Sequence, residues 1–471
     1  MSAASGTDVP AFLSAAAAGR AFADGSLTPQ AFLAALLDRI ERIDPVINAF
    51  IRLDAEAAMA AAEAAGREIA AGRRRGPLHG IPVGIKDIID VAGLPTTCHS
   101  KILVDNIAKA DAAVVARLRA AGAVILGKLS THEFAIGGPS LDLPFPPARN
   151  PWNPACHPGG SSSGSGAGLA AGLFPLALGT DTGGSVRNPA SACGIVGLKP
   201  TYGLVSRRGV FPLSFTLDHV GPMARTAEDA ALLLDVIAGH DAADPGSAPS
   251  AAHGFTSGLD RGFTGLRIGF VRHFHETDMS ADPDVAAALE EAARVLAAEG
   301  AQIRDVRLPA LGEFAAVNRI VMGAEAWSIH APWLRARPED YGALARERLM
   351  MGAFVSGGDY VAAQRRRAQM IAAVEAAFGQ FDLLLCASSM DPATRIDDAE
   401  KTERYYARQA RTPFNVTGHP AVAMMAGLSR DRLPVSLQFV GRFFADATVL
   451  GAAAAYERAT GWAKQIPPIA A

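Results

Sequence analysis

The sequence predicts an α/β protein whose sheet is covered by helices on both faces. Three observations carry that expectation. Short apolar runs of strand length alternate with Ala-rich stretches at helical spacing along most of the chain. The 471 residues are 49% apolar and 19% charged, enough to bury a large core. No segment repeats at a fixed period, which sets aside solenoids and propellers.

Taken in order, Thr28-Pro29 opens a helix, a capping hydroxyl followed by Pro at the first helical position. Phe32, Leu33, Leu36, Leu37 and Ile40 continue it at helical spacing, with an end expected near Asp44-Pro45. A second Ala-rich helix is expected over 54–71, broken by Gly72 to Pro77. A helix over 111–121 precedes a strand over 123–127, and another strand is expected over 194–198. Residues 240–265, rich in Ala, Gly, Pro, Ser and Asp, form the best linker candidate or a long surface loop. Beyond it the pattern resumes: strands over 266–271, 381–386 and 435–440, and a helix over 284–298.

A formal net charge of −3 argues against a strongly basic nucleic-acid binder, and the composition against a disordered chain. The Ala-rich start, Met1 to Phe22, lacks a basic region followed by an unbroken apolar core, so no secretion is expected. Leu169 to Leu178, the most apolar stretch, falls far short of the roughly 20 residues a membrane span needs. Cys98, Cys156, Cys193 and Cys386 are scattered without a CxxC pair, which suits reduced core thiols in a cytoplasmic protein. The scattered histidines, His132-Glu133 among them, lack zinc-protease spacing, so no metal is expected.

The chemistry is concentrated in three segments. Gly159-Gly160-Ser161-Ser162-Ser163-Gly164-Ser165-Gly166 is followed by Gly179-Thr180-Asp181-Thr182-Gly183-Gly184-Ser185-Val186-Arg187, and Lys86 lies among Ile81, Val83, Ile85, Ile88 and Ile89. Cutting an amide needs a nucleophile, a base and donors aimed at the developing oxyanion. Ser185 follows two glycines, so the N–H groups of Thr182, Gly183, Gly184 and Ser185 can converge on one point, which makes it the better nucleophile. Lys86 serves as base only if neutral, which needs a pKa drop of about 3.4 units and therefore burial. Asp87 and Asp90 would oppose that drop if ionised and close. Ser161 is the candidate relay between Lys86 and Ser185.

Other readings of the same residues are weaker. The Gly/Ser run by itself is more often a flexible loop than a catalytic one. It lacks the Gly-Lys-Ser/Thr ending of a phosphate-binding loop. Gly160 to Gly164 formally matches a nucleophile elbow centred on Ser162, but the Pro-punctuated stretch 150–158 is a poor central strand to precede it.

Together the three segments resemble the amidase signature family in residue type, order and spacing. Further blocks look similar, among them 127–134, 149–152, 193–203, 217–222, 413–421 and 437–441, so the likeness spans roughly residues 25–465 and is weakest over about 270–405. The resemblance implies one compact domain over 66–465, a mixed sheet wrapped by helices, with an N-terminal helical segment, 1–65, packed on it. It places the family's catalytic lysine at Lys86, its bridging serine, linked by a cis peptide, at Ser161 and its acylated serine at Ser185. Asp181 and Arg187 then brace the nucleophile loop, and Ser163 helps to orient Lys86. One departure is Cys98-His99, where many members carry small residues: either a pocket wall has changed or the loop tolerates bulk.

The family's substrates range over amides, carbamates, ureas and the glutamine used by tRNA-dependent amidotransferases. Aromatic and Met residues of the variable segment, Trp327, Tyr341, Met351 and Phe354 among them, are the candidate lining of an apolar substrate pocket, with core packing as the alternative. The expected activity is hydrolysis of an aryl or alkyl amide, extending to a carbamate (urethane) or aryl ester, without a cofactor. The alternatives are the glutamine-hydrolysing subunit of a tRNA amidotransferase, which need not touch RNA itself, and a noncatalytic binding protein. A small-molecule amide or carbamate is the expected partner, with no nucleic acid and no membrane. A homodimer is left open.

Overall fold

A computed structural model describes residues 12–249 and 254–470. The first eleven residues and positions 250–253 of the linker candidate lie outside them. An eleven-stranded mixed sheet organises the chain: β1 (Phe50–Leu53), β2 (Pro82–Lys86), β3 (Val124–Leu129), β4 (Leu176–Asp181), β5 (Val196–Lys199), β6 (His219–Ala224), β7 (Arg267–Phe270), β8 (Gln302–Asp305), β9 (Leu383–Ala387), β10 (Ala421–Leu428) and β11 (Pro434–Val440). Their spatial order is β1-β3-β2-β4-β6-β5-β10-β11-β9-β7-β8. β2 runs parallel to β3 and β4, and β7 parallel to β8 and β9, while the other neighbours are antiparallel. This is the α/β class expected, and the sheet is continuous across residue 250. The central strands are buried along their whole length, as strands covered on both faces must be.

Helices α1 (Ala15–Asp24), α2 (Pro29–Ile47) and α3 (Ala55–Ala70) precede β2. The Thr28 hydroxyl caps α2 by accepting from the Ala31 N–H at 3.2 Å. The helix does not stop at Pro45; it continues to Ile47 and ends on Asn48 in the left-handed region. Proline in the last turn sacrifices only one hydrogen bond, and the buried Ile43 and Ile47 hold the turn in place. The expected N-terminal helical segment also holds β1, which pairs antiparallel with β3.

α4 (Ala113–Ala120), α5 (Ser163–Ala170), α6 (Arg187–Cys193) and α7 (Ala227–Ile237) come next, interleaved with the strands up to β6. α5 and α6 each begin within or just after a Ser/Gly segment, so both loops run directly into helices. The less family-like stretch brings α8 (Pro283–Ala298), α9 (Leu311–Ala336), α10 (Ala343–Met350), α11 (Gly357–Ala377) and α12 (Ala399–Ala407). α13 (Thr412–Thr417) and α14 (Asp446–Thr460) complete the chain.

β2 and β4 bring the chemical segments together. Their parallel register pairs Ile85 with Leu178, so Lys86 at the end of β2 falls beside Gly179 and Thr180 near the end of β4. The carboxyl ends of neighbouring parallel strands, where α/β sheets bind ligands, therefore carry the lysine and the start of the Ser185 loop side by side.

Candidate active site

Lys86 is fully buried, with Ile81, Val83, Ile85, Ile88 and Ile89 all at most 2% exposed. Its Nζ lies 2.7 Å from Ser161 Oγ and 2.7 Å from Thr180 Oγ1. Burial pulls its pKa down to about 7, against the opposing pull of Asp181 and Asp218. Asp87, its sequence neighbour, pairs with Lys128, Nζ to Oδ1 2.9 Å, and accepts from Thr97 as well. The second contact of Lys86 is thus Thr180. Ser163, expected to orient the lysine, is the first residue of α5 and donates its N–H to the Ser161 carbonyl at 2.8 Å.

The Gly160–Ser161 peptide bond is cis, as the resemblance implies. Position 160 admits only glycine, because a Cβ there would lie 2.1 Å from the His132 ring. Ser161 itself is buried. The next residue joins the two serine loops: the Ser162 N–H donates to the Ser185 carbonyl at 3.2 Å, and Ser162 Oγ bonds the Thr180 backbone on both sides.

Asp181, the last residue of β4, gathers the Ser185 loop around its carboxylate. Oδ1 accepts the Gly184 N–H at 2.8 Å, and Oδ2 accepts those of Val186 and Arg187. Arg187 adds a bidentate pair, Nε to Oδ2 3.0 Å and Nη2 to Oδ1 2.9 Å. Its three remaining N–H groups reach the Arg411 carbonyl, Gln438 Oε1 and Asn415 Oδ1, so all five guanidinium donors are used. Burial alone would raise the Asp181 pKa, but Arg187 and Asn415 overcome it and hold the carboxyl well below its usual range. Asp181 and Arg187 therefore brace the loop.

The oxyanion set differs from expectation at one position. The Gly184 N–H is engaged inward by Asp181, leaving those of Thr182, Gly183 and Ser185 without partners among the described residues. Gly184 has φ +127°, and a Cβ there would meet the Arg411 side chain, so the reversal of direction needs glycine. Ser185 is half-buried, and the space beside Gly183 is open but for Asn318. A hydroxyl beside three free amide donors, on a loop bonded to the one that carries Ser161 and its buried lysine of lowered pKa, is equipped for acyl transfer.

A cavity of about 450 Å³ lies on the Thr180–Thr182 side of this group, walled mainly by Ile88, Val210, Phe211, Leu213 and Phe215. Ser161 and Ser185 are outside its lining. The four candidate pocket residues are elsewhere too. Trp327 packs on Gly352, and Tyr341 is buried against Phe134 with its hydroxyl 2.9 Å from His330 Nδ1. Met351 and Phe354 are 57% and 85% exposed. At the Cys98-His99 departure both residues have left-handed φ. Cys98 points into the core, while the neutral His99 ring lines a small second pocket with His132 and Ser163. Among the described residues, the grouping best suited to a metal is His275, Glu276 and Glu290, and there Arg272 already pairs with Glu290. No helix of the described residues is long and apolar enough to cross a membrane.

Thr180, Asn415, Gln438, Asp218 and Asn318 were not singled out for roles by sequence. Asp218, Asn415 and Gln438 fall inside the family-like blocks 217–222, 413–421 and 437–441, and Thr180 inside the segment Gly179 to Arg187, which was the available signal.

Comparison with known proteins matches the Amidase family model over residues 31–450. The A subunit of glutamyl-tRNA(Gln) amidotransferase from Geobacter metallireducens is 42% identical over 459 residues, 92% of this chain and 94% of that protein. Among solved structures, the corresponding A subunit from Thermotoga maritima is 35% identical, with a TM-score of 0.78 over 91% of each chain. A 6-aminohexanoate cyclic dimer hydrolase complexed with substrate is 30% identical, with a TM-score of 0.88 over 98% of this chain and 100% of that one.

Proposed function

The chain belongs to the amidase signature family, and on that premise we propose that it hydrolyses the side-chain amide of glutamine through an acyl-enzyme on Ser185, as the hydrolytic subunit of an amidotransferase. The near full-length identity to an amidotransferase A subunit carries this choice of substrate over the stand-alone amidase expected first.

In the first step neutral Lys86 accepts the Ser161 proton as Ser161 accepts that of Ser185. Ser185 Oγ attacks the amide carbon, and the N–H groups of Thr182, Gly183 and Ser185 hold the oxyanion. Ser161 returns the proton to the departing nitrogen and is reprotonated by Lys86. The C–N bond breaks, releasing ammonia for glutamine. Water repeats the relay on the acyl ester and frees the acid and Ser185. On this reading the protein works in the cytoplasm beside the other subunits its relatives' name implies.

A second reading, a stand-alone hydrolase of apolar amides, is favoured by the apolar cavity beside Thr180 and by the backbone likeness to the cyclic dimer hydrolase. One experiment separates the two. Wild type and Ser185→Ala are incubated with a mixture of glutamine, a small primary amide, an anilide and an aryl carbamate, and products are read by mass spectrometry. Serine-dependent loss of glutamine alone supports the first reading, and loss of the anilide or carbamate the second. Turnover that survives in Ser185→Ala would sink both.

A further inference from the structure

We propose that Asp218 is a positioning residue for the oxyanion site, acting through the hydroxyl of Thr182. The proposal rests on the reading of Ser185 as nucleophile. It begins with strand register. β4 and β6 pair antiparallel with Thr180 opposite Val220 and Asp181 opposite His219, so the next positions, Thr182 and Asp218, face each other just beyond the ladder.

There the half-buried Asp218 carboxylate takes three donors, none of them cationic. Oδ1 accepts from Thr182 Oγ1–H at 2.6 Å, and Oδ2 accepts the N–H groups of Leu213 at 2.9 Å and Ser214 at 3.0 Å. Only a carboxylate accepts on both sides. An amide in its place could still accept the two backbone N–H groups and donate its N–H₂ to the Thr182 hydroxyl, so untying Thr182 takes loss of both oxygens. The Thr182 carbonyl is held separately by Asn318 Nδ2 at 3.2 Å. Thr182 is therefore fixed through its side chain and its carbonyl, while its N–H stays free for the oxyanion. Thr182 and Asp218 both line the apolar cavity, so an untethered threonine has room to turn.

Leu213 and Ser214 extend the same anchor. Ser214 Oγ and the Thr216 N–H donate to the Glu325 carboxylate on α9, 2.6 and 3.0 Å, so the cavity wall is tied to the helix that carries Asn318. Both tethers of Thr182 thus belong to one hydrogen-bonded unit.

The test uses a fluorophosphonate, whose phosphorus is attacked by Ser185 Oγ with expulsion of fluoride, and monitors labelling by intact-protein and peptide mass spectrometry. Wild type, Thr182→Val, Asp218→Ala and the double variant are compared after near-UV circular dichroism confirms folding. Removing a whole oxyanion donor costs about 10²–10³ in rate, so a donor that is only misaimed should slow maximal labelling about tenfold. The half-saturating probe concentration should not move, and the double variant should be no slower than the slower single variant, since both act at one contact. If Asp218→Ala does not fold, Thr182→Val decides alone. Wild-type maximal labelling in Thr182→Val, or single effects that multiply in the double variant, would overturn the proposal. Failure of wild type to label at Ser185 would instead overturn the nucleophile reading beneath it.

Discussion

Lys128 Nζ lies 2.9 Å from Asp87 Oδ1, both side chains fully buried, so the carboxylate next in sequence to Lys86 is matched by a different lysine. That pairing leaves Lys86, on the adjacent strand, without the Asp87 carboxylate as its counter-ion. Lys128→Met should leave Asp87 buried without its cation and cost about 3–5 kcal/mol of stability. Urea unfolding checks it; an unchanged midpoint would show that Asp87 does not need the ion pair.

The Lys86 pKa of about 7 sets the pH dependence. The neutral amine is the base, so activity should rise with pH through about 7 and level off above it. The same shift acts on stability. Between about 7 and 10.5 the unfolded chain holds a proton on this lysine that the folded chain does not, so this group makes stability increase with pH across that window. Lys86→Met should lose turnover by about 10²–10⁴-fold, be more stable than wild type at pH 7 and lack this increment. Parallel pH–rate and pH–melting series test both halves.

Thr180→Val removes one of the two hydroxyls within 2.7 Å of Lys86 Nζ. Losing an acceptor for the charged amine should move the acid limb of the rate profile below 7, while looser aim of the amine lowers the plateau about tenfold. A limb that stays at 7 would mean that Thr180 does not act on the lysine.

Arg187→Lys should be damaging despite the retained charge. A lysine offers three donors where the site holds five acceptors for Arg187, and it cannot form the bidentate pair with Asp181. Expected are a loss of about 3–5 kcal/mol and a fall in kcat greater than any change in KM. Calorimetry and steady-state kinetics with the substrate found by mass spectrometry give the readout.

Phe354→Ser should leave kcat/KM within about twofold and stability within about 0.5 kcal/mol, because the ring is 85% exposed and lines no described cavity. A large rise in KM would return the residue to the substrate site.

Much of the core machinery was legible because its chemistry is local. Lys86 stands out as a lone amine among isoleucines, and Ser185 sits behind its own glycines. The strands over 123–127, 266–271 and 435–440 were found from apolar runs and fall within one or two residues of β3, β7 and β11. What sequence hid is long-range. Thr180 meets Lys86 through the parallel register of β2 and β4, and Asn415 and Gln438 reach Arg187 across 228 and 251 residues. The aromatic content of the variable segment left pocket lining and core packing both open because composition carries no direction. Helix α9 turns Trp327 onto Gly352, and the 3₁₀ turn Met351–Phe354 sets Met351 and Phe354 in solvent. Gly184 shows the opposite limit: its place in the loop was evident, but which way its N–H points depends on Asp181.

β1 has a bearing on where the protein can be trimmed. Its four residues cap the outer margin of β3, whose six positions are all buried. A shortened chain starting at residue 66 would keep every residue of the Lys86, Ser161 and Ser185 group yet bare a row of unpaired N–H and C=O groups flanked by Val124, Ile125 and Leu126. Such a margin is a template for strand addition by another copy. The leading segment therefore acts as a guard against self-association, and the shortened protein should be lost to aggregates before its chemistry could be assayed.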